Sequence, residues 1–366
     1  MVQTRAHGAA KRKLSDAAAE EADPNNPIEF WVERDRWPSQ LSEPGMAHLL
    51  ARRRSSSPSS SSVIPPSEQR PREEKYAQYR DERYETLLAT KGSFMVRSKL
   101  GIAEESKILC QDLLERNQAY PENSLFRDDI FHLTCEKISN KNEERVLQDI
   151  TRLIVPSAET LATYGAKHLD ILTESVNEGW NNSIPLTGIR PQPDYSAGFS
   201  RDAFTTEQLD KLSPFIGDIL TDMSLFMGTY YMYFPFLACE VQCRDSLAVA
   251  DRQNAHTMTL AARGVVKLSR LVGRESEVHR QILAFSISHG YSLARISSYY
   301  PVIDGKDTKY YRHPIHMFDF MTLDGRDKWT AYRFTKNFYD TWMPDFFKRI
   351  CSAIDQLPAE LELSSI

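Results

Sequence analysis

The stretch YFPFLACEVQC, residues 233–243, has the composition of a buried β-strand but carries two polar side chains near its end. Side chains alternate along a strand, so Glu240 and Gln242 point to one face and Val241 points to the other. An ionised carboxylate in a buried strand is unfavourable unless a counter-charge or a metal ion balances it. The sequence therefore predicts a specific partner for Glu240.

A second acidic residue, Asp194, stands at the start of the preceding predicted strand, in RPQPDYSAGF. This strand is predicted to begin where its two prolines end, because proline is tolerated at the first position of a strand. If the two strands are neighbours, Asp194 and Glu240 converge at one end of the sheet. Two carboxylates in that position repel each other, and a Mg²⁺ ion with oxygen ligands relieves the repulsion and holds a phosphate.

The segments around these two strands show mainly helical patterns. A hairpin is predicted to turn at His289-Gly290, just after the long helix that follows residue 250. The order of elements predicts a mixed α/β (α+β) fold in which helices flank a central sheet. The predicted helices have apolar residues at helical spacing or a capping signal, and they span residues 142–155, 158–180, 205–215, 251–272 and 328–355.

The 366 residues divide by composition into four parts. Residues 1–72 are rich in serine, proline and basic residues, and they are predicted to be disordered because they bury too little apolar surface to offset the ordering entropy. Residues 73–125 are predicted to form a helical linker or extension. The main domain is predicted to span residues 126–357, and residues 358–366 form a C-terminal tail.

Charge and hydropathy limit the classes of partner. The formal net charge is −5, so binding to nucleic acid requires a local basic patch. No apolar run is long enough to predict a membrane span, and no apolar signal core predicts secretion. Two basic clusters, Lys11–Lys13 and Arg52–Arg54, predict a nuclear location, with the cytoplasm as the alternative. The N-terminal tail and the aromatic C-terminal region are the predicted contact regions for a protein partner.

The motifs PDY at 193–195 and CEVQ at 239–242 resemble the signature of the PD-(D/E)xK nuclease superfamily. In that superfamily a Pro-Asp on one core strand and a Glu-x-Lys on the next assemble a magnesium site. The resemblance covers residues 143–300 and implies a restriction-endonuclease-like mixed sheet flanked by helices. It also implies metal-dependent hydrolysis of phosphodiester bonds in nucleic acid.

The resemblance assigns roles to individual residues. It implies that Mg²⁺ is held by Asp194, Glu240 and the main-chain carbonyl of Val241. The resemblance also implies a third carboxylate, on the first helix of the core. Two glutamates are candidates: Glu143 at the start of one predicted helix, and Glu159 at the start of the next.

One position departs from the superfamily pattern, because Gln242 stands where a lysine is expected. The lysine positions the attacking water and offsets charge in the transition state, and loss of one such group commonly costs ~10²–10³ in rate. Arg244 or Arg252 are candidate replacements, and Gln253 is similar in placement to a glutamine used by RecB-like members. The alternative to an active nuclease is a decayed fold that binds nucleic acid or protein.

Each of these residues also has a purely structural interpretation. Asp194 after a proline is a common turn or cap residue, and Glu240 is a candidate for an ion pair with Arg190 or Arg201. Residues 126–357 resemble, more closely still, an uncharacterised fungal family of unknown function, through segments such as SVNEGWN, RPQPDYS and RICSAIDQLP. That second resemblance implies no particular activity.

Overall fold

The computed structural model describes Arg52–Arg53 and residues 77–358. Arg52–Arg53 is a two-residue strand, β1, that pairs antiparallel with β5 (Asp222–Met223). Apart from these two residues, the tail predicted to be disordered lies outside the described residues, as does the C-terminal tail after residue 358.

Seven further strands form one mixed sheet. They are β2 (Ser93–Phe94), β3 (Leu172–Val176), β4 (Tyr195–Phe199), β6 (Tyr233–Val241), β7 (Ala284–His289), β8 (Leu293–Asp304) and β9 (Asp307–Asp319). Their order in the sheet is β2-β9-β8-β7-β6-β4-β3. The pairs β6–β7 and β2–β9 are parallel, and the other neighbouring pairs are antiparallel.

Helices cover both faces of this sheet. They are α1 (Arg83–Thr90), α2 (Glu104–Glu115), α3 (Phe131–Ile138), α4 (Glu143–Asp149), α5 (Thr151–Ile154), α6 (Ala158–Thr163), α7 (Thr206–Ile216), α8 (Leu247–Leu271), α9 (Thr322–Gly325), α10 (Thr330–Asn337) and α11 (Met343–Asp355). The π-helical segment Phe338–Trp342 joins α10 to α11. The mixed α/β fold with a central sheet between helices is thus confirmed. Within the described part of the chain, none of the helices has the length and apolarity that crossing a bilayer requires.

Successive residues of β7 show which helices cover which face. Ala284 belongs to a buried cluster with Met258 of α8, whereas the ring of Phe285 packs against Phe334 and Phe338. Because neighbouring side chains on a strand point to opposite faces, α8 covers one face and α10 covers the other.

The C-terminal aromatic residues belong to that second layer. Phe338, Trp342 and Phe346 are buried; Trp342 stacks on the other two rings, and Phe338 and Trp342 each meet Phe285 edge to face. They stabilise the domain by burying apolar area, and the expected contact of the C-terminal region with a protein partner stays a prediction.

β6 lies inside the sheet, between β7 and β4. All nine of its residues are buried, as its apolar composition predicts. It contains Pro235, which cannot donate to a ladder, and the pairing with β4 shifts register between Ala197 and Phe199. Gly198 faces the irregularity, where a Cβ would lie 2.9 Å from the Tyr233 carbonyl oxygen. Glycine is therefore required at this point of close approach.

Residues 77–125 share the core of the sheet. Leu88 of α1 and Leu113 of α2 are fully buried, and β2 adds an edge strand through its pairing with β9. As a result, α8 lies between the sheet and α1, and 20 of its 25 residues are buried. Polar side chains on this helix therefore need partners inside the protein.

Two predicted elements differ from the structure. The helix predicted over residues 158–180 is wrong: it ends at Thr163, Gly165 has a positive φ of 111°, and β3 follows. The predicted helix over 142–155 is divided into α4 and α5 at Ile150. The capping box at the start of α7 is confirmed, because Thr205 and Gln208 exchange side-chain to main-chain hydrogen bonds.

Gly264 provides a test of how tightly α8 is packed. Alanine normally stabilises a helix interior by about 1 kcal/mol over glycine. At this position, however, an added Cβ would lie 2.5 Å from the main-chain oxygen of Leu225. We expect Gly264→Ala to lower the free energy of unfolding by about 1–3 kcal/mol, because backbone must shift to admit the methyl group.

Urea denaturation of Gly264→Ala and the wild type measures this difference. Gly188→Ala is the matched control, because a Cβ there meets no atom within 4 Å. It is expected to unfold at the wild-type urea concentration or above. Equal stability of Gly264→Ala and the wild type would show that α8 is not held as closely as described.

Candidate active site

The two carboxylates singled out by the sequence lie on neighbouring strands. β4 and β6 pair antiparallel with Tyr195 opposite Cys239, and one further step places Asp194 opposite Glu240. Residues directly opposite in an antiparallel pair point to the same face and are close in space. Asp194 is fully buried and Glu240 is 1% exposed, so both acidic groups face the protein interior under α8.

Asp194 is held at the end of the strand pairing. Its Oδ2 accepts a hydrogen bond of 2.8 Å from the main-chain N–H of Val241. Its main-chain oxygen accepts from the N–H of Asn177, at 3.0 Å. The Asp194 carboxylate therefore accepts the hydrogen bond of a β6 main-chain N–H that lies beyond the last paired residue of β4. This bond fixes the Asp194 side chain at that end of the sheet.

Glu240 is bound by the helix above it. Gln253 of α8 donates from Nε2 to Glu240 Oε2 at 3.1 Å. The amide oxygen of Gln253 is buried and has no hydrogen-bond partner among the described residues. The next residue, Asn254, donates to the main chain of Ile287 and to Ser288 Oγ, and its own amide oxygen is likewise unpartnered within the described chain. Two buried acceptor oxygens therefore accompany the carboxylate pair.

Gln242 contacts one of the two candidate glutamates. It donates from Nε2 to Glu143 Oε1 at 2.8 Å, and the main-chain N–H of Cys243 donates to the same oxygen at 3.2 Å. Glu143 is the first residue of α4. Glu159 instead accepts from the main-chain N–H of Glu174, so it lies against β3. Of the two glutamates, Glu143 is the one that contacts the end of β6.

The arginines proposed to replace the missing lysine lie apart from the carboxylates. Arg252 donates from Nε to the carbonyl oxygen of Tyr79 at 2.6 Å and pairs with Glu85 at 3.4 Å. Arg244 is exposed in the loop between β6 and α8. Of the arginines considered as ion-pair partners of Glu240, Arg201 is exposed and Arg190 lies 3.5 Å from Met223 Sδ.

The row of polar residues continues across the sheet beyond Glu240. Glu240 is opposite Ser288 of β7, and Ser288 is opposite Arg295 of β8. Asp251 of α8 accepts from Ser288 Oγ at 2.7 Å and pairs with Arg295 at 2.7 Å and with Arg312 at 3.2 Å. Neither arginine was predicted to be part of the site. Arg312 belongs to β9, a strand that was not predicted, although the alternation of polar and apolar residues in YYRHPIHMFDF is a signal for it.

Two buried histidines flank this layer. His289, at the end of β7, donates from Nδ1 to the Gly290 carbonyl and accepts at Nε2 from Thr151 Oγ1. Burial lowers the pKa of His289 to about 4. His256 of α8 has its Nδ1 within hydrogen-bond distance of the hydroxyls of Tyr79, at 2.8 Å, and Tyr84, at 3.2 Å, and burial, with a smaller contribution from the charge of Arg263, lowers its pKa to about 3. Both rings are therefore neutral in the folded protein at pH 7.

The donor atoms determine which metal ion suits this site. Among residues 77–358, no group of three or more histidine, cysteine, aspartate or glutamate side chains converges in a metal-binding arrangement. The oxygen-bearing side chains nearest to one another in the register and hydrogen bonds are Asp194 and Glu240, on opposed positions of β4 and β6, and Gln253, which donates to Glu240. Oxygen donors of this kind fit Mg²⁺ and not the nitrogen and sulfur sets typical of zinc.

Comparison with known proteins gives a family but no activity. No curated protein matches the chain. A family model described as a domain of unknown function, DUF7924, matches residues 130–354, which contain every candidate site residue discussed above. The resemblance to an uncharacterised domain family is thereby confirmed. The chain belongs to the DUF7924 family.

Proposed function

We propose that this domain is a PD-(D/E)xK nuclease-like fold that binds Mg²⁺ between Asp194 and Glu240 and hydrolyses phosphodiester bonds in nucleic acid. The observation that carries the proposal is the register of β4 and β6, which sets these two buried carboxylates opposite each other. The nuclear location predicted from the basic clusters Lys11–Lys13 and Arg52–Arg54 is part of the proposal, because nucleic acid is the substrate class.

The order of elements around the pair supports the same fold. Helix α4, strands β4 and β6, helix α8 and strand β7 occur along the chain in the order helix, strand, strand, helix, strand that the resemblance implies, with α5, α6 and β3 inserted before β4. Helix α7 lies in the interval between Asp194 and Glu240. β6 and β7 are parallel neighbours joined by α8, so the carboxylates and their supporting helix belong to one crossover unit.

The side chains have distinct tasks in this proposal. Asp194 and Glu240 hold the ion, with Glu143 as the third carboxylate and the Val241 carbonyl as a further oxygen ligand. Gln253 fixes the orientation of Glu240 through its hydrogen bond. Mg²⁺, when bound, supplies Lewis-acid polarisation of a phosphoryl oxygen and a hydroxide nucleophile at neutral pH. Without a cation, two opposed buried carboxylates are unfavourable, which is why the site fits a divalent ion.

One observation favours a second candidate function, a decayed nuclease-like fold that only binds nucleic acid. Gln242 occupies the lysine position and is held by Glu143, and neither Gln242 nor Gln253 is more than 3% exposed. An amide can position water but brings no positive charge to the transition state. The two candidates differ in catalysis and not in fold.

The direct test is cleavage of a fluorescent oligonucleotide by the purified chain of 366 residues. We expect cleavage with Mg²⁺ or Mn²⁺ and none with EDTA. Asp194→Asn should reduce the rate by about 10²–10³, because it removes one anionic ligand while an amide oxygen can still accept from Val241 N–H. Asp112→Asn, at a side chain of α2 that is 44% exposed, is the matched control and should retain the wild-type rate. Cleavage by Asp194→Asn at the wild-type rate would remove Asp194 from the catalytic proposal.

A further inference from the structure

We propose that Arg295 and Arg312, held together by Asp251, form a binding site for phosphate groups of a nucleic-acid backbone. The ligand class rests on the proposed function, but the site is separate from the Asp194–Glu240 pair and is built by different strands. It would also supply positive charge near a centre in which the expected lysine is replaced by Gln242.

The location of the two arginines follows from the strand register. Arg295 lies two strands from Glu240 in the same row, with Ser288 between them. Neighbouring strands are about 4.8 Å apart, so the backbones at Glu240 and Arg295 are about 10 Å apart on one face of the sheet. One short oligonucleotide can therefore reach both groups.

Asp251 does not use the Nε and Nη2 edges of the two guanidinium groups, which have no acceptor among the described residues. Asp251 Oδ2 contacts Nη1 of Arg295 and Nη1 of Arg312, while its Oδ1 accepts from Ser288 Oγ. The Nε atoms of both arginines are buried without a partner among the described residues, and no hydrogen bond joins either Nη2 to the described chain. Nε and Nη2 together form the fork that binds a phosphate in bidentate fashion.

The charge balance points in the same direction. One carboxylate faces two guanidinium groups, so the cluster carries a net positive charge. The side chains of Arg295 and Arg312 are 26% and 13% exposed, which limits screening by water but leaves a route for a ligand. A structural ion pair needs only one arginine for Asp251. The second arginine and the two unpartnered Nε atoms are explained by an anion that completes the cluster.

The two arginines first considered as replacements for the lysine, Arg252 and Arg244, do not serve this purpose. Arg252 is committed to the Tyr79 carbonyl and to Glu85 in the segment that leads into α1. Arg244 is exposed in a loop, where a single side chain is well hydrated. Arg295 and Arg312 are instead fixed on paired strands by a shared acceptor, and such preorganisation is what a phosphate clamp requires.

The experiment measures binding without catalysis. A fluorescein-labelled 20-nucleotide single-stranded DNA is titrated with the 366-residue chain in EDTA, and fluorescence anisotropy gives Kd at several salt concentrations. We expect the double variant Arg295→Gln/Arg312→Gln to bind at least about tenfold more weakly and to lower the slope of log K against log salt by about 1, as for one lost phosphate contact. Inorganic phosphate should displace the DNA from the wild type at lower concentration than from the double variant.

Two further variants separate charge from geometry. Arg295→Lys keeps the charge but loses the fork, and an intermediate Kd is expected. Arg127→Gln removes an exposed arginine that pairs with Asp129, and Kd should equal that of the wild type. If the double variant does not fold, each single variant is used, because Asp251 then retains one arginine.

The outcomes distinguish this inference from the proposed function. Failure of the wild type to bind DNA in EDTA, or folded arginine variants with wild-type Kd and salt slope, would overturn the phosphate site. If DNA binding depends on Arg295 and Arg312 but the wild type cleaves nothing with Mn²⁺, the phosphate site is supported and the proposed nuclease activity is contradicted. If the wild type cleaves with Mn²⁺ but DNA binding does not depend on the two arginines, the nuclease proposal is supported and the phosphate site is overturned.

Discussion

A shift from pH 7 to pH 5 is expected to lower the free energy of unfolding by about 4 kcal/mol through two buried histidines. His256 and His289 have folded-state pKa values lowered by burial to about 3 and about 4. In the unfolded chain histidine has a pKa of about 6.5, so the unfolded state takes up protons first as the pH falls. The stabilisation is present in full above pH 6.5 and is lost as the pH falls towards 4. At pH 5 each histidine contributes a loss of about 2 kcal/mol.

Urea denaturation at pH 7, 6 and 5 measures this loss. His289→Gln should lose about 2 kcal/mol less than the wild type over the interval, because one proton uptake is removed. His316→Gln, at an exposed histidine of β9, is the control for replacing a histidine at the surface. Curves for His256→Gln and His289→Gln that parallel the wild type would show that these rings do not remain neutral in the folded state.

Replacing Gln242 with lysine is expected to increase metal-dependent cleavage by about 10²–10³. Gln242 points to Glu143 and follows Glu240 by one pleat, so an ammonium group at this position adds charge beside the metal ligands. Glu143 can accept from lysine as it does from the amide, so the side chain retains an anchor. Initial rates with Mg²⁺ and a labelled oligonucleotide measure the gain.

Gln242→Met is the matched control, because it has similar length but neither charge nor amide. It should cleave no faster than the wild type. An inactive wild type with an active Gln242→Lys identifies a decayed site whose remaining parts are intact. A folded Gln242→Lys without any gain over the wild type would rule against the lysine position assigned to residue 242.

The elements that could be predicted from the sequence are those with strong local signals. β6 has a long apolar run, α7 has its capping box at Thr205, and the hairpin between β7 and β8 turns at Gly290 as its sequence indicates. β3 was missed because it follows a genuine helix and exposes Thr173, Glu174 and Val176 in part, so its apolar alternation is weak. β9 was missed because Pro314 interrupts it near a register shift in its pairing with β8.

The candidate site was predictable to the extent that it is local. A buried glutamate within β6 and an aspartate at the start of β4 were recognisable because burial makes such groups costly. The choice between Glu143 and Glu159 could not be made, because each stands in the first turn of a helix and the sequence does not say which helix reaches β6. Arg312 was out of reach for the same reason, since strand pairing over long separations decides its neighbours.

The burial of α8 between the sheet and α1 shows that the packed domain includes residues before those matched by the family model. The family is recognised from residue 130 onwards, yet Leu88 and Leu113, well before that point, are fully inaccessible to solvent. A chain cut at the family boundary would leave one side of its central helix without a cover and would expose apolar surface of the kind that drives aggregation. The matched family domain is therefore shorter than the packed unit, in which residues before 130 supply the cover of α8.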